Sequence, residues 1–168
     1  MKKLMGFIDF DGVILDTESG LFKQYHILKE EYPDITREQY LTEMNWNEWI
    51  EQAAIINDSI EILKNNSHEI VTILTTIHSF NEGKVKVDYL RKHGVKNDVI
   101  VVPHICKKHE IVKPMRRFLI DDFGKNLIGW QENGGISIRF STNIQKTYDD
   151  FVVISNLQDV FDKWSMFN

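Results

Sequence analysis

Several short stretches of this sequence end on residues that do chemistry. FIDFDG (residues 7–12) carries Asp9 and Asp11, and EIVTILTT (69–76) ends on Thr75 and Thr76. HICKKH (104–109) holds Lys107 and Lys108, and RFLIDD (117–122) ends on Asp121 and Asp122. Two carboxylates about 4 Å apart repel by roughly 4 kcal/mol at an effective dielectric of 20. Several of them, partly buried, cannot all stay ionised without help. A divalent cation resolves the conflict. Mg2+ suits it: a hard ion that takes oxygen ligands, needs few carboxylates and keeps positions open for a substrate phosphate. Lysine and threonine beside such an ion add a point charge and a hydroxyl donor for phosphate oxygens. The combination fits a phosphoryl group better than a carbonyl. Each piece alone has a plainer explanation. Asp-x-Asp-Gly is a common turn, Thr-Thr follows from β-propensity, Lys-Lys suits a solvated face, and Asp-Asp suits a capping turn. Their joint occurrence, each after a strand, argues for one site.

The elements that must position these residues follow from periodicity. The apolar run 4–8 reads as a buried strand closed by Asp and Gly. From Thr17 the pattern is helical, with Leu21, Tyr25 and Leu28 on one face and a stop at Pro33. A second helix is expected over 36–44. A third is expected over 46–65, where Trp49, Ile50, Ala53, Ile56, Ile60 and Leu63 recur at helical spacing. Strands are expected at 69–76, 98–103, 117–122, 136–140 and 151–155. Helices are expected at 81–94 and 124–135, each closed by glycine, and at 156–164 with Asn156 as cap. Alternating strands and helices imply α/β architecture: a Rossmann-like parallel sheet with right-handed crossovers. Residues 17–66 interrupt that rhythm with helix alone and read as a small helical cap inserted after the first strand. The core is then 1–16 plus 67–168. In such a sheet ligands bind outside the carboxyl ends of the strands, where all the residues named above fall.

Composition narrows the function classes. The 168 residues are 42% apolar and 27% charged, an ordinary globular balance. A net charge of −5 argues against a nucleic-acid polymer as partner, which would need a basic patch. The single cysteine, Cys106, forms no internal disulfide and points to a reducing, cytoplasmic setting. Asp9 cuts the first apolar run too short for a signal-peptide core, and no window is long enough to span a membrane.

DFDGVILDT, ILTT, CKKHE and FLIDD resemble the motifs of the haloacid dehalogenase superfamily of phosphotransferases, over nearly the whole chain. LIDDFGKNLIGWQENGGISIRF is also similar to the 5′(3′)-deoxyribonucleotidase branch. The resemblance implies Asp9 as nucleophile and Asp11 as general acid, then base, with its backbone carbonyl on the metal. It implies Thr75, ahead of Thr76, on the transferring phosphoryl group. Lys108, ahead of Lys107, steadies Asp9 and the phosphoryl oxygens. Asp122 ligates Mg2+ and Asp121 assists. Dehalogenases of the superfamily lack the second aspartate, so Asp11 favours a phosphatase.

The expected function is a magnesium-dependent phosphatase of a small phosphorylated metabolite, a nucleoside monophosphate being favoured over a sugar phosphate. Tyr40 and Trp46 are the aromatic candidates for substrate contact in the cap. Two other classes compete. A non-catalytic phosphate-binding module would often have lost one of Asp9, Asp11 and Asp122. A signalling receiver domain would carry its acidic pair after the first strand, whereas the pair Asp121–Asp122 follows a later one and only 46 of the 168 residues come after it. Zinc at His104, Cys106 and His109 lacks a second ligand pair.

Overall fold

The computed structural model describes residues 5–67, 71–143 and 150–163. Its centre is a parallel sheet of six strands: β1 (Met5–Ile8), β4 (Val71–Ile77), β5 (Val99–Pro103), β6 (Arg117–Asp121), β7 (Ile136–Phe140) and β8 (Val152–Ile154). They lie in the order β5-β4-β1-β6-β7-β8, every neighbouring pair parallel. The chain therefore runs outward from β1 to one edge, returns to β1's other side at β6, and runs outward again. The reversal places the ends of β4, β1 and β6 side by side, the place where open α/β sheets bind ligands.

Alternation along the strands builds two cores. Ile8, Ile73, Phe118 and Ile120 join one apolar cluster; Phe7, Leu74 and Leu119 join the other. Successive side chains point to opposite faces of a strand, so helices are needed on both sides. On the first side α5 (Phe80–Lys92) supplies Val85, Tyr89 and Leu90. On the second, α7 (Gly124–Glu132) supplies Leu127 and Trp130. Trp130 is fully buried, meets Phe7 edge-on at 5.4 Å, and donates its indole N–H to the Arg117 carbonyl at 3.0 Å. Ser79 caps α5 by accepting from the Glu82 amide at 3.1 Å. Asn156 accepts from the Gln158 amide ahead of α8 (Gln158–Asp162), at 2.8 Å. Residues 4, 69, 70 and 164 of the expected elements lie outside the described residues.

The segment after β1 departs from the purely helical expectation. It holds α1 (Leu21–Glu31), α2 (Arg37–Glu43), α3 (Trp46–Gln52) and α4 (Ser59–Asn65). The expected helix over 46–65 is broken. Between α3 and α4, Ala54–Ile55 forms a short strand, β3, antiparallel to β2 (Leu15–Asp16). Asn57 and Asp58 follow at φ 44° and 57°, a left-handed conformation that these two side chains tolerate better than most. The break is pinned from outside: the Ile14 carbonyl accepts from the Ile56 amide at 3.0 Å and the Ser59 hydroxyl at 2.8 Å. Helix α1 starts later than expected, because Asp16 folds Ser19 into a turn through bonds of 3.1 and 2.6 Å. Helix α2 is opened by a reciprocal Thr36–Gln39 capping box.

Candidate active site

Two of these strand ends, those of β1 and β6, deliver acids to one point. One carboxylate oxygen each from Asp9, Asp121 and Asp122 lie within 4.8 Å of one another. Among the described residues they are the one such group of potential metal ligands, so His104, Cys106 and His109 form no second centre. The donors are all oxygen and all acidic, the set a hard divalent ion prefers. Gly12 makes room for them. Its φ of +68° suits glycine, and a Cβ there would lie 2.1 Å from Asp122 Oδ2. The glycine of Asp-x-Asp-Gly thus gives Asp122, the acid just after β6, its place.

Lys108 ties the cluster together. It opens α6 (Lys108–Ile111), is 1% exposed, and bonds Asp9 Oδ1 at 2.8 Å and Asp121 Oδ2 at 2.7 Å. Burial works against its charge, but Asp121 and Asp9 outweigh that and push its pKa up to about 12. Lys107 is exposed at the cleft wall. Asp121 also accepts from the Phe123 amide at 2.8 Å and from Asn126 Nδ2 at 2.9 Å, and so fixes the start of α7. Asp122 is half-buried; burial first, then Asp121 and Glu18, push it up to about 7 against an opposing Arg139. Asp9 is also raised, chiefly by burial, which Lys108 opposes and Asp121, Asp11 and Asp122 reinforce. One ammonium shared between two buried carboxylates, with a third beside them, leaves a negative excess that a divalent cation would neutralise.

Asp11 points elsewhere. Its Oδ1 accepts from the Thr17 hydroxyl at 2.7 Å. Its Oδ2 takes Lys86 Nζ at 2.6 Å and the Thr75 hydroxyl at 3.3 Å. Lys86 is fully buried and also bonds Glu82 Oε1 at 2.6 Å, Thr75 Oγ1 at 3.2 Å and the Thr76 carbonyl at 3.0 Å. Burial lowers its pKa, but Asp11 and Glu82 more than compensate, and the net shift is upward. Reading the motifs alone misses Lys86 and Glu82. The signal was there: both fall on the buried stripe of α5 with Val85, Tyr89 and Leu90, at i, i+4 spacing, where a surface ion pair would not sit.

These groups open onto a cleft of about 820 Å³. Asp9, Asp11, Asp122, Thr76, His78 and His104 line it from the sheet side; Phe22, Arg37, Leu41 and Trp46 line it from the helical segment. Thr75 is buried behind Asp11, whereas Thr76 reaches the wall. Trp46 is 3% exposed and donates its N–H to the Leu41 carbonyl at 2.8 Å, so it walls the cleft without offering a free face. Tyr40 packs against Tyr25 with the rings tilted and their centres 5.6 Å apart, and is not among the cleft-lining residues. The exposed aromatic on the helical side is Phe22, 46% exposed, with the Arg37 guanidinium 4.4 Å from its ring centre; Phe123, 54% exposed, faces the cleft from the start of α7.

No protein-family profile matches the sequence, and no curated protein matches it. Solved structures do. The magnesium-bound structure of YfnB from Bacillus subtilis, described as a haloacid dehalogenase (HAD) hydrolase, superposes with a TM-score of 0.65 at 12% identity, covering 97% of this chain and 99% of that one. The haloacid dehalogenase-like hydrolase SP0104 from Streptococcus pneumoniae gives 0.65 at 13%, covering 98% and 100%. A HAD phosphatase from Thermococcus onnurineus gives 0.63 at 14%, covering 95% and 96%. The chain therefore has the HAD-like α/β fold, with a Rossmann-type parallel sheet.

Proposed function

We propose that this protein is a magnesium-dependent phosphomonoesterase that works through phosphorylation of Asp9, with a nucleoside monophosphate as its favoured substrate. The observation that carries the reading is the crowding of Asp9, Asp121 and Asp122 within 4.8 Å at the sheet edge, with Lys108 between two of them. The phosphatase and hydrolase descriptions of the solved structures with this fold support the same class.

Asp9, Asp121, Asp122 and the Asp11 carbonyl would hold Mg2+, which when bound supplies positive charge to the phosphoryl oxygens. Lys108 and the Phe10 amide, at 2.8 Å, both donate to Asp9 Oδ1, so Oδ2 is the oxygen that bonds to phosphorus. A carboxylate nucleophile splits one hard displacement into two easier ones. Lys108 remains on the reacting carboxyl and stabilises charge on the equatorial oxygens, the larger part of what phosphoryl transfer asks of a protein. Thr76, on the cleft wall, is placed to add a donor, while the buried Thr75 hydroxyl, expected on the phosphoryl group, is instead held on Asp11. Asp11 protonates the departing alcohol and then takes a proton from the water that hydrolyses the aspartyl phosphate.

The substrate class rests on the cleft. A volume of about 820 Å³ suits a ligand the size of a nucleotide. Residues 17–66 are the proposed cap over a core of 1–16 plus 67–168. Phe22, with Arg37 on its ring, is the surface on which a base can stack. Tyr40 and Trp46, tied up as described, are replaced in that role. The test is release of phosphate from para-nitrophenyl phosphate with Mg2+, with chelator, and in Asp9→Asn. Loss of turnover in both controls is expected, and wild-type-like turnover in Asp9→Asn would overturn the nucleophile. A panel of nucleoside monophosphates and sugar phosphates follows. Equal kcat/KM across it would remove the nucleotide assignment and leave the chemistry standing.

A further inference from the structure

Lys86 is the buried cation that the steps above do not use. It lies beneath the cleft floor with no exposed surface, held between the Phe10 and Trp46 rings at 5.5 and 5.6 Å. Taking an ammonium out of water costs several kcal/mol, so bare packing does not explain it. Glu82, itself 2% exposed, compensates the charge at 2.6 Å, and is in turn fixed by the His78 amide at 2.6 Å. The ammonium's remaining bonds go to Asp11 Oδ2, the Thr75 hydroxyl and the Thr76 carbonyl. The two oxygens of Asp11 therefore live in different surroundings. The partners of Oδ2, Lys86 and Thr75, are wholly buried. The partner of Oδ1, Thr17, is itself buried but lies on the cleft wall.

We propose that Lys86 is a positioning residue for proton transfer: it anchors Oδ2 of Asp11 so that Oδ1 is the oxygen presented to the leaving alcohol and then to water. The inference rests on the phosphatase reading. As Asp9 bonds to phosphorus, the bond from phosphorus to the ester oxygen breaks and that oxygen takes the proton carried by Asp11 Oδ1. In the second half, the water oxygen bonds to phosphorus, the bond to Asp9 breaks, and the water's proton passes to Oδ1. Lys86 exchanges no proton in either half. Its work is to stop the carboxyl rotating away. Without Lys86 the carboxyl keeps the Thr17 bond at 2.7 Å and only a longer Thr75 bond of 3.3 Å on Oδ2, in place of the 2.6 Å ion pair.

The leaving group reads this role. Nitrophenolate departs without a proton, whereas an alkoxide needs one. In Lys86→Met, kcat/KM for glycerol 2-phosphate should fall about 10²-fold, the scale of lost acid–base catalysis, against less than about tenfold for para-nitrophenyl phosphate. Affinity for vanadate, measured by competitive inhibition, should stay within about twofold of wild type, whereas a general distortion of the site would weaken it. In an Asp11→Asn background, adding Lys86→Met should leave the ratio between the two substrates unchanged. Should the single variant fold poorly with Glu82 left uncompensated, Lys86→Met combined with Glu82→Gln removes both charges and carries the same expectation. An equal loss on both substrates, or vanadate affinity falling in step with activity, overturns the positioning role. Turnover of both substrates by wild type, abolished in Asp9→Asn, secures the phosphatase reading separately. A wild type that hydrolyses neither substrate would overturn that reading and this inference with it.

Discussion

Chelator-treated protein should lose stability as pH rises from 5 to 8, and Mg2+ should restore it chiefly at the alkaline end. Asp122 sits at about 7 against an ordinary 3.8, through burial and then through Asp121 and Glu18. Asp9 moves in the same direction, mainly through burial. A carboxyl whose pKa is higher in the folded than in the unfolded chain keeps its proton when folded, over the window where the unfolded chain has released it. Its stabilising contribution is full below about 3.8 and is lost as pH rises through about 7. Roughly three units at 1.4 kcal/mol each give about 4 kcal/mol for Asp122 alone, of which about 3 kcal/mol disappears between pH 5 and 8. In a chain of this size each kcal/mol moves Tm by about 2–4 °C, so the whole effect is on the order of 10 °C. Urea unfolding followed by tryptophan fluorescence, at pH 5, 6, 7 and 8, with chelator or with Mg2+, measures it. A metal-free stability that is flat or rises across that range would refute the reasoning. So would stabilisation by Mg2+ that is as large at pH 5 as at pH 8.

Lys108→Met removes the cation from between Asp9 and Asp121, and breaking such a buried pair costs about 3–5 kcal/mol; the same urea assay at pH 8 checks it, and Mg2+ should recover more of the loss than it adds to wild type. Gly12→Ala places a Cβ 2.1 Å from Asp122 Oδ2 at a φ of +68°. It should cost about 1–2 kcal/mol for the backbone alone, and calorimetric titration should show weakened Mg2+ binding. Phe22→Ala should raise KM for a nucleoside monophosphate while leaving KM for ribose 5-phosphate unchanged, read from initial rates on both.

The strands and their endings were legible because both signals are local. Apolar runs bounded by acids, proline or glycine mark β1, β5, β6 and β7, and the match at Ile136–Phe140 runs residue for residue. The meeting of Asp9, Asp121 and Asp122 follows from parallel topology, which places the carboxyl ends of neighbouring strands together. The third helix was misread for the opposite reason. Its apolar spacing carries straight through 46–65, and the break depends on Ile14, distant in sequence, accepting from Ile56 and Ser59. The aromatic contacts were hidden in the same way. Whether Trp46 or Phe22 shows a free face depends on who accepts the indole N–H and where Arg37 rests. Lys86 was overlooked although its position on a buried helical stripe marked it. A lysine reads as solvated until the stripe is laid out in full.

The central claim is that Asp9 bonds covalently to phosphorus. Quenching the protein during turnover of a phosphomonoester with Mg2+, then reducing it with borohydride, converts an aspartyl phosphate to homoserine, which tandem mass spectrometry locates. Homoserine at position 9, absent without substrate, is the predicted result. Reduction at another aspartate, or none at all while phosphate is being released, would contradict it.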